Sequence, residues 1–423
     1  MPIPAALETL VREVSAEILE AQKPIRVLRL LSWPVEVETD FFARGAKELP
    51  RPTYRVGPEL PEALERLKAL SAKLTGENAI ERFLRDTVGS LATAGRMLLA
   101  VGSKDFYYHS VELYGRPGSL SSDRATTNLG LARHFAEVVS GFAPVLGDAD
   151  RVVITAEEAV PLLKARFETF FPGREIRVIL TEGMAAAASA NADGVKINRG
   201  AMFSQRDLQQ IEFHEGQVHT ATTINGRAQP VLVFLGVPSP RTTSTQEGMA
   251  VFTEFLTRST SLPRVRRLSD RVLAIQAAEE GADFIQIFRF FVERGYDESA
   301  AFDCARRVFR GGLLEGGAPF TKDVCYLDGL LRVTNFLRIA LTQGKGRMVR
   351  ALFAGKLSVE DMPLIDRLIE ERLAIEPLHT PAWANDLSYL TALMSYAAFL
   401  GESDLSAEKR RFDDACDLVH DLA

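Results

Sequence analysis

Residues Ile211–Thr220, IEFHEGQVHT, place two histidines around a glutamate in the middle of the chain. Zinc hydrolases commonly carry H-E-x-x-H on one helix, with the two histidines four positions apart. Here His214 and His219 are five positions apart, and Glu215 directly follows the first of them. This stretch is either a metal site with one extra residue or an ordinary helix that contains two histidines.

The geometry of the helix decides whether the two histidines can share an ion. In an α-helix, residues four apart differ by about 40° in direction, whereas residues five apart differ by about 140°. A π-type turn accommodates one extra residue and would return both imidazoles to one face, and such turns concentrate at functional sites. Gly216 lies between the histidines and would add little steric strain there. Metal binding therefore predicts a π-type distortion between His214 and His219.

A catalytic zinc site needs a general base and a third protein ligand as well as the two histidines. In zinc peptidases the residue after the first histidine is the base, which assigns that role to Glu215. Glu247, in TQEGMA at the start of the next predicted helix, is the candidate third ligand. It also has a plainer interpretation, because Ser244 to Glu247 fits a capping box in which the acid only closes the helix end.

The composition is that of a globular protein. Of the 423 residues, 25% are charged and 46% are hydrophobic, and the net charge is −6. Both signs are mixed along the chain, so no basic field of the kind that nucleic acids require is expected. The longest uncharged stretch, Leu387 to Gly401, falls short of the ~18 apolar residues of a membrane span and predicts a buried helix. We expect neither a nucleic-acid partner nor a membrane segment.

The cysteines indicate the redox environment. Cys304, Cys325 and Cys416 stand far apart and form no C-x-x-C pair, which argues against a disulfide framework and suits a reducing cytoplasm. The first residues, MPIPAALETLVREV, lack the basic start and apolar centre of a signal peptide. We therefore expect a cytoplasmic protein.

Local patterns predict the elements around the central motif. Residues 24–38 alternate and predict an extended piece, and 230–236, PVLVFLG, predict a short apolar strand. Asp193 and Gly194 are typical of the turn of a hairpin. Ser204, with an acid three residues later, predicts the start of the helix that carries the histidines.

These elements predict three regions and an α+β fold class. Residues 1–150 form a mixed N-terminal region, 151–265 a catalytic core, and 266–423 a helical region that completes the cleft. A hairpin, a capped helix with H-E-x-x-x-H and a following acidic helix form the layout of a glutamate-liganded zinc peptidase. We therefore predict a predominantly helical, zincin-like metallopeptidase with a small mixed sheet beside the active-site helix.

The two-part motif resembles that of a known family. His214–His219 followed by QEGMA resembles the QEGLA-motif family of bacterial proteins, often labelled flavohaemoglobin expression-modulating. These proteins are similar to the microtubule-associated tyrosine carboxypeptidases of animals. RVFRGG (Arg307 to Gly312) and FTKDVCYLDGL (Phe320 to Leu330) match further phrases of the family, and Met249 stands where leucine is usual.

The resemblance implies a zinc metallopeptidase of the carboxypeptidase type. His214, His219 and Glu247 would be the Zn²⁺ ligands, Glu215 the catalytic base, and a peptide or protein C-terminus the substrate. It does not transfer tubulin as the substrate, because we find no counterpart of the animal enzymes' microtubule-binding additions. Two other functions fit the same motif: a non-catalytic regulatory protein with a structural or vestigial zinc site, and a zinc hydrolase acting on a non-peptide amide.

Supporting residues are expected in the two later phrases. Tyr326 and Lys322 share a helix face, and Tyr326 is the candidate donor to the oxyanion of the tetrahedral intermediate. Arg307 and Arg310, with Lys322 as the alternative, are candidates for holding the substrate carboxylate, since a guanidinium matches both oxygens. Asp323 could orient a histidine. The plainer interpretations are a helix cap, a solvated lysine and charges that complement helix dipoles.

Overall fold

Helices dominate the part of the chain that the structure describes. The computed structural model describes residues 4–402 apart from 121–124, 142–149, 183, 185 and 192, so Cys416 lies outside the described residues. The helices before the first strand are α1 (Ala5–Ala21), α2 (Val27–Leu30), α3 (Val35–Ala43), α4 (Glu59–Lys73), α5 (Ala79–Leu99), α6 (Lys104–Tyr114) and α7 (Asn128–Ser140).

The segment at 24–38 is helical, and its prediction as an extended piece was wrong. Pro34, with φ −62° and ψ 154°, provides the extended residue before α3. Phe41, near the end of α3, is buried against Phe284 and Phe302, with ring centroids 5.4 and 5.2 Å away. The alternation of VEVE suggested a strand, but tertiary packing of this aromatic side chain overrides that local preference.

Two small sheets lie before the central motif. β1 (Ile154–Thr155) pairs antiparallel with β5 (Met202–Phe203), and α8 (Ala156–Phe170) follows β1. β2 (Arg177–Thr181), β4 (Gly194–Asn198) and β3 (Ala188–Asn191) form the second sheet in that order. β4 pairs parallel with β2 and antiparallel with β3, which confirms the predicted hairpin. β3 is therefore an edge strand, with one row of backbone groups outside the sheet.

The central motif lies in one helical unit made of three parts. α9 (Gln205–Ile211) begins at a capping box in which Ser204 and Asp207 each bind the other's backbone N–H, as predicted. A π-helix (Glu212–Thr220) follows without a break and leads into α10 (Ala221–Arg227).

The predicted strand at 230–236 is absent, and Val233–Gly236 form a 3₁₀-helix instead. The apolar run is buried in the main core, where Val231, Leu232 and Leu235 are at most 3% exposed. Burial explains the apolar sequence without a strand partner, because a short apolar run does not by itself distinguish the two structures.

The rest of the described chain is helical. α11 (Thr243–Leu256) follows a 3₁₀-helix (Pro240–Thr242), and α15 is likewise preceded by one (Lys322–Val324). The remaining elements are α12 (Leu262–Glu279), α13 (Phe284–Glu293), α14 (Glu298–Phe309), α15 (Cys325–Thr342), α16 (Gly346–Ala351), a 3₁₀-helix (Val359–Asp361), α17 (Met362–Glu370), α18 (Ala382–Asn385) and α19 (Leu387–Glu402).

The apolar helix α19 is only partly buried, which corrects its prediction as a buried helix. Leu390 and Met394 face the core, whereas Tyr389 and Tyr396 are 53% and 61% exposed. Among the described residues, no helix combines the length and apolar character needed to cross a bilayer.

The largest hydrophobic core contains side chains from all three predicted regions, among them Val11, Val218 and Trp383. The division at 150 and 265 stays a prediction. Cys304 and Cys325 are buried free thiols, as expected for a chain without a disulfide framework.

Candidate metal centre

The π-helix brings the two histidines of the motif together. The ring centroids of His214 and His219 lie 4.8 Å apart with an interplanar angle of 83°. In a π-helix the backbone hydrogen bond joins residue i to residue i+5, so positions five apart lie on adjacent turns. The predicted distortion between the histidines is confirmed, and it extends from Glu212 to Thr220 rather than over a single turn.

Side chains satisfy backbone carbonyls that the π-helix leaves accessible. The Thr220 hydroxyl donates to the carbonyl of Glu215 at 2.8 Å, and the Lys356 ammonium donates to that of His219 at 2.7 Å. Burial lowers the pKa of Lys356 to about 7. Gly216 has a different reason from the one expected, because a Cβ there would overlap the ring of Phe167 on α8. Close helix packing, rather than relief of strain in the turn, requires this glycine.

Glu247 completes a group of three possible ligands. Its Oε2 lies 3.6 Å from Nε2 of His214 and 3.6 Å from Nε2 of His219. The three ligand atoms all lie within 4.8 Å of one another. α11 begins at Thr243 with Thr242 as its N-cap, so the capping-box interpretation of Ser244 and Glu247 was wrong.

The donor set fits a metal ion. Oε2 of Glu247 is buried and has no hydrogen-bond partner, although buried carboxylate oxygens are normally satisfied. The other oxygen, Oε1, accepts from the Lys322 ammonium at 3.3 Å. An unpartnered carboxylate oxygen facing two imidazole nitrogens is the arrangement expected of a cation site with one carboxylate and two histidine ligands.

Charges around the site keep Glu247 ionised. Burial raises the pKa of this carboxyl, but Lys322 and the two histidines outweigh burial and hold it well below its usual value. The pKa of His219 is lowered by burial. Burial also lowers the pKa of His214, but Glu247 and Glu254 raise it to about 10. The proton that they stabilise on Nε2 of His214 lies where a metal would bind.

Glu254 and Arg264 support His214 from behind, and the sequence reasoning missed both. Glu254 is 0% exposed and contacts Nδ1 of His214 at 2.7 Å. Arg264 donates to both oxygens of Glu254, at 3.1 and 2.9 Å. The arginine and His214 outweigh burial and lower the pKa of Glu254 to about 2. A signal was present, because Glu254 lies about two helical turns after Glu247 on the same face of α11.

Glu215 lies beside the ligands and faces a cavity of about 560 Å³. Its Oε2 accepts from the backbone N–H of Ala190 on the edge strand β3 at 2.5 Å, and its Oε1 lies 3.9 Å from Nε2 of His214. His214, Glu215, Arg307 and Tyr326 all line this cavity. The candidate base therefore lies at the boundary between the ligand cluster and an open space.

Close contact between α11 and α15 brings Lys322 and Tyr326 to the site. A Cβ at Gly248 would overlap the backbone of Gly329, and one at Gly329 would overlap the carbonyl of Ser244. The glycine of QEGMA is thus required by this crossing. The Lys322 ammonium lies 5.6 Å from the centre of the Tyr326 ring.

The structure separates the two arginines of RVFRGG. Arg307 lines the cavity and donates to both oxygens of Asp323, at 2.6 and 2.9 Å. Asp323 therefore pairs with Arg307, and the expectation that it orients a histidine has no contact to support it. Arg310 is not among the cavity-lining residues, and its guanidinium lies 5.6 Å from the ring centre of Phe320. Its position does not favour the predicted role in binding the substrate carboxylate.

The chain was compared with known proteins. No curated protein matches it. A solved structure described as "Structure of Pyrococcus furiosus Carboxypeptidase Apo-Mg" aligns at 12% identity with a TM-score of 0.38, covering 92% of this chain and 98% of that chain. A likeness at that score carries no argument here. The model of the family described as microtubule-associated tyrosine carboxypeptidase matches residues 39–402, which supports a carboxypeptidase-like function. The chain therefore belongs to the microtubule-associated tyrosine carboxypeptidase family, as its motifs predicted.

Proposed function

We propose that the protein is a zinc-dependent carboxypeptidase that removes residues from peptide or protein C-termini. The observation that carries the proposal is the buried, unpartnered Oε2 of Glu247, 3.6 Å from Nε2 of both His214 and His219. Glu215 adjoins these ligands at the edge of a cavity, where a peptide bond can approach.

The donor set supports zinc as the metal. Two imidazoles and one carboxylate form a ligand set used by catalytic zinc, whereas Mg²⁺ prefers oxygen ligands. Glu254 would fix His214 in the orientation that presents Nε2 to the ion. The other imidazole comes from His219, one turn later in the π-helix.

The residues of the chain divide the chemistry between them. Bound zinc would supply a Lewis acid that polarises the scissile carbonyl and lowers the pKa of water. Glu215 takes a proton from the attacking water onto its carboxylate and delivers it to the leaving amine. The Ala190 N–H holds one oxygen of that carboxylate. Tyr326, on the cavity wall, is the proposed donor to the oxyanion.

The cavity favours this function over a regulatory protein with a structural zinc. Structural zinc sites are closed by four protein ligands, whereas catalytic sites keep a position open. Three candidate ligands cluster here, and a fourth neighbour, Glu215, has one oxygen held by backbone and lines the cavity. A purely structural site has no use for a base in that place.

The proposed substrate is a free C-terminus, and microtubule association is not part of the proposal. We also propose a cytoplasmic location, which the buried free thiols Cys304 and Cys325 suit.

Metal analysis and peptide digestion together test this function. We expect one zinc per chain, loss of zinc in His214→Ala and His219→Ala, and release of C-terminal residues from free-ended but not amidated peptides. Glu215→Gln should keep the zinc and lose activity by about 100-fold or more, because it removes only the base. Gln210→Ala, a cavity-lining change outside the proposed ligand set, serves as the control. Full zinc retention in both histidine variants, or equal cleavage of amidated peptides, would contradict the proposal.

A further inference from the structure

The cavity beside Glu215 is lined by several arginines that differ in how their charge is compensated. Arg264 is bound to both oxygens of Glu254, and Arg307 to both oxygens of Asp323. Each of these guanidiniums therefore has a protein carboxylate in a two-point contact. Arg267 is exposed at the cavity, where water can solvate its charge.

Arg271 has no such compensation. It lines the same cavity and is only 9% exposed, and its Nε is buried without a hydrogen-bond partner. The carboxylate with which it forms an ion pair is Asp323, at 3.6 Å, beyond hydrogen-bond distance. Asp323 already binds Arg307 through both oxygens. Two guanidiniums thus share one carboxylate.

The ring of Tyr326 holds the Arg271 guanidinium in place, with 5.6 Å between its central carbon and the ring centre. Burial and the charge of Arg307 lower the pKa of Arg271, whereas their carboxylate partners raise the pKa of Arg264 and Arg307. Because buried charges are normally paired, an immobilised and undercompensated guanidinium on a cavity wall is set up to receive an anion from outside.

We infer that Arg271 binds the terminal carboxylate of the substrate, in place of Arg307, Arg310 or Lys322. This inference rests on the proposed carboxypeptidase function and names a residue for its defining step. Lys322 is engaged by Glu247, and Arg310 does not line the cavity. Arg307 and Asp323 act as positioning residues, because they fix the partly shared carboxylate beside Arg271.

Calorimetry with a matched peptide pair tests the inference without turnover. The zinc-loaded Glu215→Gln protein is titrated with acetyl-Gly-Gly-Glu-Tyr as the free acid and as the C-terminal amide. We expect the free acid to bind about 10- to 100-fold more tightly, the range for a charge-assisted two-point contact. Adding Arg271→Gln should reduce the ratio to about one, and Arg271→Lys should leave an intermediate ratio because it keeps the charge and loses the fork.

Arg267→Gln is the matched control, because it removes another cavity arginine and should preserve the ratio. A third peptide, with Gln in place of its Glu, separates the terminal carboxylate from a side-chain carboxylate. The inference is overturned if Arg271→Gln keeps the acid-to-amide ratio, or if its loss follows the peptide's Glu side chain. The Arg271 variants should melt no lower than the parent, since they remove an uncompensated buried charge, and a lower melting temperature would count against that description.

The two levels of the proposal fail differently. If the wild type cleaves only free-ended peptides while Arg271→Gln keeps the binding ratio, the carboxypeptidase function stands and the assignment of Arg271 is wrong. If the wild type cleaves amidated and free peptides equally, the carboxypeptidase function fails, and the role of Arg271 fails with it.

Discussion

At the scale of single residues, contacts within one stretch of sequence were predictable and contacts between remote stretches were not. His214, Glu215 and His219 belong to one motif, and motif spacing identifies their chemistry. Lys356 donates to the carbonyl of His219 from 137 positions away, and no pattern in either segment indicates that contact. Arg271 was missed for the same reason, since its distinction lies in what the fold fails to pair with it.

Glu254 offers a prediction at this scale. Glu254→Gln should weaken zinc binding about 10- to 100-fold, because residues that orient a metal-bound histidine tune affinity by that amount. A competing chelator measures the dissociation constant, and circular dichroism checks that the variant is folded.

Glu212→Gln is the matched control for that change. Glu212 lies on the same π-helix but pairs with Arg166, at 3.1 Å, instead of with a ligand. Its variant should bind zinc within about twofold of the wild type, an effect as small as expected for a partly exposed pair. Equal zinc affinity in the Glu254 and Glu212 variants would show that Glu254 does not act through His214.

At the scale of elements, geometry was a better guide than local propensity. The angular mismatch of residues five apart predicted the π-helix, because only a changed helical repeat brings His214 and His219 together. Alternation and apolar runs misassigned 24–38 and 230–236, where tertiary packing decides the structure. The glycines of the α11–α15 crossing have a meaning that becomes visible only when both helices are in place.

That crossing gives a prediction about stability. Gly248→Ala should lower the free energy of unfolding by about 3 kcal/mol, at the upper end for overpacking, because the new methyl group meets the backbone of Gly329 rather than a flexible side chain. Gly89→Ala in α5 is the same chemical change where the Cβ meets nothing within 4 Å. It should stabilise the protein by about 0.5–1 kcal/mol. Denaturant unfolding measures both, and changes of the same sign would contradict the packing explanation.

At the scale of the whole molecule, the candidate site draws on separate parts of one connected fold. The π-helix, α11, α12 and the segment leading into α15 each contribute a side chain to the ligands or the cavity wall. The sequence predicted a predominantly helical protein with a small sheet beside the histidines, and the structure has that composition. How the later helices enclose the cavity depends on contacts between distant residues, which a single sequence does not reveal.

Metal binding should therefore stabilise the whole fold. At a free zinc concentration a thousand times the dissociation constant, linkage predicts about 4 kcal/mol of added stability. For a cooperative unit of this length, that corresponds to a rise of about 5 °C in the melting temperature. Scanning calorimetry with and without a chelator measures the shift. His219→Ala should abolish it, and a shift that survives this substitution would place the stabilising zinc elsewhere.

The extra residue between the histidines also sets the rotational phase of everything that follows it. Deleting one residue there would recreate H-E-x-x-H, and an ordinary α-helix would still hold both imidazoles on one side. The same deletion would turn α10 by about 100°. Asn225, whose side-chain amide binds the carbonyls of Phe353 and His379, would then point away from them. The two ends of this helix thus demand different residue counts, and the wider π-helical repeat reconciles them.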